Sequence, residues 1–185
     1  ARLWSCFLST LTMRLFFALL FMIVGPVNIS TAASLESKGW KKTVDDFEGT
    51  VEYSYSAEPY AFGCMGLLAG VMGSVAGEPK QVGKLTIAVI GAGMEEEFRE
   101  GTLRFRAENG IVDLPTNCSP EYEDGKYNVM CLSNADSGAA KQLATTDFVR
   151  LDTPTKNFDM KADNKCASAL SGIKKIGLDF YEATK

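Results

Sequence analysis

Apolar and polar side chains alternate with a period of two along much of this chain, the mark of strands with one face buried. Over residues 50–56, Val51, Tyr53 and Tyr55 fall on one side and Thr50, Glu52 and Ser54 on the other. Residues 84–90 repeat the pattern with Leu85, Ile87 and Val89. Two dipeptides suited to tight turns then predict two hairpins. Around Asn109-Gly110 the register expects Phe105 opposite Leu114, Ala107 opposite Val112 and Arg106 opposite Asp113. Around Asp124-Gly125 it expects Glu123 opposite Lys126, Tyr122 opposite Tyr127, Pro120 opposite Val129 and Cys118 opposite Cys131. In that register Pro120 and both cysteines occupy non-hydrogen-bonded pairs. Such pairs suit a residue lacking an N–H and bring facing sulfurs close. The two hairpins follow one another directly, so they predict a four-strand meander.

The period lengthens toward the C-terminus. Residues 147–151 and 156–160 read as two more short strands. Cys166, Leu170, Ile173, either Ile176 or Gly177, and Phe180 then recur at helical spacing, predicting a final helix capped by Asp163 or Asn164. A short helix is expected within residues 133–145, capped by Ser133 or Asp136, with Ala139, Ala140 and Leu143 packed inward. The hardest stretch is 63–77, where Gly63, Gly66, Gly70, Gly73 and Gly77 recur every three or four residues. On a helix they form a glycine stripe, fit for tight packing on the sheet or for membrane contact. A buried loop pinned by Cys64 is the other expectation, since each glycine costs a helix roughly 1 kcal/mol.

Residues 13–33 read as an export signal: Met13-Arg14, an unbroken apolar run over 15–24, Gly25-Pro26, and small residues for cleavage near Ala32–Ser34. Residues 1–12 precede that start and read as a mis-called or non-native leader. Residues 34–39 form a polar linker, and 40–183 one exported domain. An uncleaved anchor would place Arg14 near the middle of the bilayer, which is costly. Removing the signal takes Cys6 with it and leaves Cys64, Cys118, Cys131 and Cys166. Hairpin register selects Cys118–Cys131, which leaves Cys64–Cys166 for a second bridge. The same cut leaves 17 basic side chains against 23 acidic, a net charge of −6 that disfavours nucleic acid and anionic surfaces.

The chain contains no histidine. That excludes Ser-His-Asp and Cys-His nucleophile systems, histidine bases, and any metal site needing imidazole. Val89-Ile90-Gly91-Ala92-Gly93 imitates a dinucleotide fingerprint, but Glu96 occupies the third glycine position. Ser171-Gly172-Ile173-Lys174 has the Ser-x-x-Lys spacing without its partner motifs. Carboxylates at Asp45 and Asp46, or at Glu95, Glu96 and Glu97, read as solvated turns. Residues 134–138 read as a helix cap, not a calcium loop, because the closing glutamate is missing. Asn117-Cys118-Ser119 fits a glycosylation sequon, relevant only in a eukaryotic secretory pathway. No catalytic residue, cofactor or metal is expected.

The sequence therefore predicts an α+β domain: a mostly antiparallel sheet, a covering C-terminal helix and two disulfides. Its expected role is that of a periplasmic or secreted non-catalytic module binding a protein or cell-envelope component. Tyr53, Tyr55, Tyr60, Tyr122 and Tyr127 are the candidate binding surface, because tyrosines give contact area at low entropic cost. Membrane association through the glycine stripe and histidine-free hydrolysis of envelope glycans are the alternatives.

Overall fold

The computed structural model describes residues 34–62, 64, 68–161 and 166–185, and for residues 58–62, 68 and 69 the backbone alone. The export-signal reading, Gly63, Gly66, Asp163 and Asn164 lie outside the described residues. Among the described residues nine strands form one antiparallel sheet: β1 (Lys41–Asp45), β2 (Thr50–Phe62), β3 (Leu68–Ala76), β4 (Lys84–Met94), β5 (Glu100–Ala107), β6 (Gly110–Glu123), β7 (Lys126–Asp136), β8 (Phe148–Asp152) and β9 (Asn157–Lys161). Their order across the sheet is β1-β2-β3-β4-β7-β6-β5-β8-β9. A one-turn helix α1 (Pro79–Val82) joins β3 to β4, α2 (Ser137–Leu143) follows β7, and α3 (Ala167–Thr184) ends the chain. This is the α+β architecture the alternation and the final helical period imply, with both disulfides formed: Cys118–Cys131 and Cys64–Cys166.

Helix α3 buries Leu170, Ile173, Ile176 and Phe180, the predicted face. It packs on β2 and β3 near one edge of the sheet and touches β9 at the other, so the sheet curls around it. Glycine sets how closely the layers approach. A Cβ on Gly73 of β3 would stand 2.7 Å from Ile176 Cγ2 and 2.9 Å from Trp40 Cη2. On the helix, a Cβ on Gly172 would run into that of Ala57, and one on Gly177 would stand 2.6 Å from the Ala140 carbonyl oxygen. The start of the domain is held by a buried polar cluster. Trp40 Nε1 donates to Asp179 Oδ2 at 3.0 Å, Lys175 Nζ bonds the same oxygen at 2.5 Å, and Lys38 pairs with Asp179 and Glu182. Residues 34–39 are folded into this cluster: Leu35 is buried beneath a 3₁₀ turn, Leu35–Lys38.

The hairpin at Asp124-Gly125 has the expected register at all four pairs. Asp124 and Gly125 both take positive φ, 48° and 79°, as a two-residue turn of this hand requires. The earlier hairpin differs from expectation. Its turn is at Glu108-Asn109, with Ala107 opposite Gly110, so Phe105 faces Val112, Leu103 faces Leu114 and Arg104 faces Asp113. Only Gly110 takes positive φ there, 123°; the glycine serves the residue after the turn and not a central position. A shift of two residues leaves every side chain on its expected face but changes its partner. The second strand of this hairpin is also the first of the next, so the meander has three strands, with β6 shared.

The helix and loop expectations for the glycine-rich stretch are both corrected over Leu68–Ala76, which forms strand β3. Gly70 and Gly73 then lie on opposite faces, which dissolves the stripe. The tertiary gain of a central strand between β2 and β4 outweighs the weak β-propensity of glycine. The predicted short helix is confined to Ser137–Leu143, with Asp136 Oδ1 accepting from Ala139 N at 2.8 Å, because β7 extends through Ser133 to Asp136. Helix α3 starts at Ala167 with Cys166 as its cap residue.

Candidate functional site

Every strand of a sheet has two faces, and here the inner one is filled. Val71, Val75, Leu85, Ile87, Val89, Val129, Cys131, Leu103, Phe105 and Leu151 line it under the helices. The outer face divides into two regions of opposite character.

Across β5, β6, β8 and β9 the outer face is charged, and its charges are paired. Arg104 meets Asp113 through Nε and Nη2 at 2.8 and 3.0 Å, and reaches Asp152 at 3.1 Å. Arg106 meets Asp147 at 2.8 and 2.9 Å, and Arg150 meets Asp159 at 2.6 and 3.1 Å. Arg106 and Arg150 also lie 5.5 Å from the Phe148 ring. Hydrogen bonds from Arg106 and Arg150 hold the carboxyls of Asp147 and Asp159 below the usual carboxylate range. Each of these guanidiniums is already bound by a carboxylate fork, which occupies the donors an external anion would need.

Across β3, β4 and β7 the outer face is apolar. Ladder pairing sets Met72 beside Ala88, Ala88 beside Leu132, and Ile90 beside Met130. Met130 is 41% exposed and Leu132 39% exposed, although both sit on β7, the middle strand of the sheet. Small polar residues border them: Ser56 and Ser74 on one flank, Asn117 and Ser119 on the other, and the Thr86–Asn134 hydrogen bond of 3.0 Å at one end. The patch is therefore an uncharged apolar area with a hydroxyl and amide margin, suited to excluding water against another surface.

The tyrosines are distributed differently. Tyr53 is buried on the inner face, its hydroxyl donating to Glu78 Oε1 at 3.0 Å, and burial pushes that phenol above its ordinary pKa. Tyr55 is half-buried against Trp40 at 5.7 Å, with the Lys175 ammonium 5.0 Å from its ring. Tyr122 and Tyr127 pair at 5.0 Å near the tip of the β6–β7 hairpin, on the disulfide side. The Tyr60 side chain lies outside the described residues. The four described rings thus occupy two separate places on the inner side of the sheet.

The motifs weighed for catalysis have local structural uses. Gly91 and Gly93 form a bulge where β4 leaves β7, with Gly93 at φ 73° and its N–H on Asn128 Oδ1 at 3.3 Å. Asp45 Oδ1 accepts from the backbone of Phe47 and Glu48 at 2.9 and 3.1 Å. Glu97 pairs with Arg99 at 2.6 Å and Glu95 with Lys126 at 4.0 Å. A hollow of about 450 Å³ lies between the start of β2 and α1, lined by Thr50, Glu52, Gly77, Glu78 and Gln81. It is open to solvent, and its Glu78 is engaged by the Tyr53 hydroxyl at 3.0 Å and by Lys42 at 3.8 Å. Among the described residues no cluster of three acidic or sulfur ligands is placed to hold a metal, and no helix is long and apolar enough to cross a membrane.

Met130 and Leu132 are absent from the candidates drawn from the sequence, which rest on the pairs Pro120–Val129 and Cys118–Cys131 of the opposite face. A signal was present. Residues 87–90 and 129–132 are apolar at consecutive positions, so both faces of β4 and β7 are apolar. Continuous runs of that kind mark strands covered on two sides. No protein-family model, no curated protein and no solved structure matches the chain.

Proposed function

We propose that this chain is an exported, non-catalytic interaction module that docks a protein partner on the outer face of its sheet, over Met130 and Leu132 and the half-buried Met72 and Ile90 around the buried Ala88. The observation that carries the reading is the two-sided apolar character of β4 and β7, of which the described chain covers only one side. Partner binding supplies the second cover, and the paired charges beside the patch keep the rest of the face solvated. Two disulfides fit an oxidising compartment, and the apolar run over residues 15–24 fits export to one. The absence of histidine supports a binding role over catalysis.

The test compares M130D/L132D with R106Q as bait in an envelope extract. The expected outcome is a bound protein retained by the native chain and by R106Q and lost with M130D/L132D, all three keeping the same circular dichroism. Binding that survives M130D/L132D, or no retained protein at all, rejects the reading.

A further inference from the structure

We propose that two copies of this chain pair through β1, antiparallel about a two-fold axis at Thr43, so that Lys41 of each copy meets Asp45 of the other. This surface is separate from the outer apolar patch, and the inference stands without it.

Among the described residues strand β1 pairs only with β2, and all five of its residues are exposed. The far side of its backbone has no ladder partner among them and is a template for adding a strand. A two-fold axis relating antiparallel edge strands stands perpendicular to the sheet, so residues that meet must share a face. Lys42 lies over the Tyr53 ring at 5.4 Å, which places Lys42 and Val44 on the inner side and Lys41, Thr43 and Asp45 on the outer. The register centred on Thr43 pairs all five residues. It sets Thr43 on Thr43, Lys42 on Val44, and Lys41 on Asp45 twice by symmetry.

Lysines on an edge usually prevent pairing. Here they select among pairings. Registers centred on Lys41 or Lys42 oppose lysine to lysine, and one centred on Asp45 opposes carboxylates. One centred on Val44 sets Lys41 and Lys42 opposite the turn residues Phe47 and Asp46, so only the register centred on Thr43 pairs all five residues within the strand. The other edge shows what lack of fit looks like: the same operation on β9 sets Asp159 against itself.

The same register gives a place to two exposed apolar side chains. Val44 is 50% exposed and would lie over the aliphatic stem of the second copy's Lys42. Phe47, 97% exposed, stands at the β1–β2 turn, which Asp45 Oδ1 holds through two backbone N–H groups. Counting outward from Thr43 brings Phe47 level with the second copy's Gly39. Gly39 has φ 89° and open space where a Cβ would be, which leaves room for a ring.

Sedimentation equilibrium on the purified chain, with T43K, T43E and an equimolar mixture of the two, tests this. The native chain should dimerise with rising concentration. T43K and T43E alone should each weaken dimerisation roughly tenfold or more, since like charges then meet at the axis. Their mixture should recover it as a heterodimer, because unlike charges meet there only in this register. K41D should weaken it as well, and K41D/D45K should restore it. A native chain that stays monomeric up to about 1 mM, a dimer indifferent to T43K, or a mixture no better than its components overturns the proposal. If a Thr43 variant does not fold, F47S, in an exposed turn, takes its place: a weaker dimer supports the proposal and an unchanged one overturns it.

Discussion

Cys118 and Cys131 are 13 residues apart and join strands already paired along their length, whereas Cys64 and Cys166 are 102 apart and join the sheet layer to the last helix. The first bond reinforces a register that the Asp124-Gly125 turn and seven other residue pairs share. The second holds a contact between the sheet layer and the last helix across 102 residues of chain. Both pairs are buried. What separates them is how much freedom each removes from the unfolded chain, and what remains once it is gone.

The sharpest way to break this comparison is to delete each bond in turn and measure denaturant unfolding. C64A/C166A should lose about 4–5 kcal/mol, the larger effect, since the loop it closes is longer. Amide exchange should accelerate first in α3. C118A/C131A should lose about 3 kcal/mol, with β6–β7 still paired. Equal losses, or faster exchange confined to β6–β7 in both variants, would contradict the distinction.

Gly73 sharpens the same point from the packing side. G73V should cost about 1–3 kcal/mol, because the added Cβ lands on Ile176 and Trp40, where helix and sheet touch. The smallest effect concerns pH. Asp147 and Asp159 have pKa values lowered in the fold by Arg106 and Arg150. A lowered carboxylate contributes stability above its unfolded pKa, near pH 4, and that contribution is lost as pH falls through the folded value. Native protein should therefore lose stability on acidification below about pH 4. R106Q/R150Q should lose less over the same interval, by a margin that shrinks in high salt because these pairs are at the surface.

The legibility of the candidate site follows the same division. The inner face was readable, since alternation at Leu85, Ile87 and Val89 has one physical meaning in a half-buried strand. The outer patch was legible only in part: the apolar runs 87–90 and 129–132 mark strands apolar on both faces, but Met130 and Leu132 become neighbours of Ala88 and Ile90 only when β7 inserts beside β4. The earlier hairpin shows a subtler failure. Asn109-Gly110 gives a turn, but a glycine at positive φ serves either inside the turn or just after it, and each choice names different partners for Arg104 and Arg106.

By itself the sequence determined what depends on near neighbours: the Asp124-Gly125 register, the Cys118–Cys131 bond that follows from it, the buried stripe of the last helix, and the exclusion of histidine chemistry. Only the tertiary structure decided that the glycine-rich stretch would be strand β3, that β4 would pair with β7, and that an apolar area would remain on the outer face. The reason is energetic. Turn and alternation preferences act within a few residues and are fixed by backbone sterics. The state of residues 68–76 depends on hydrogen bonds and contacts supplied by β2, β4 and α3, which the local chain does not contain.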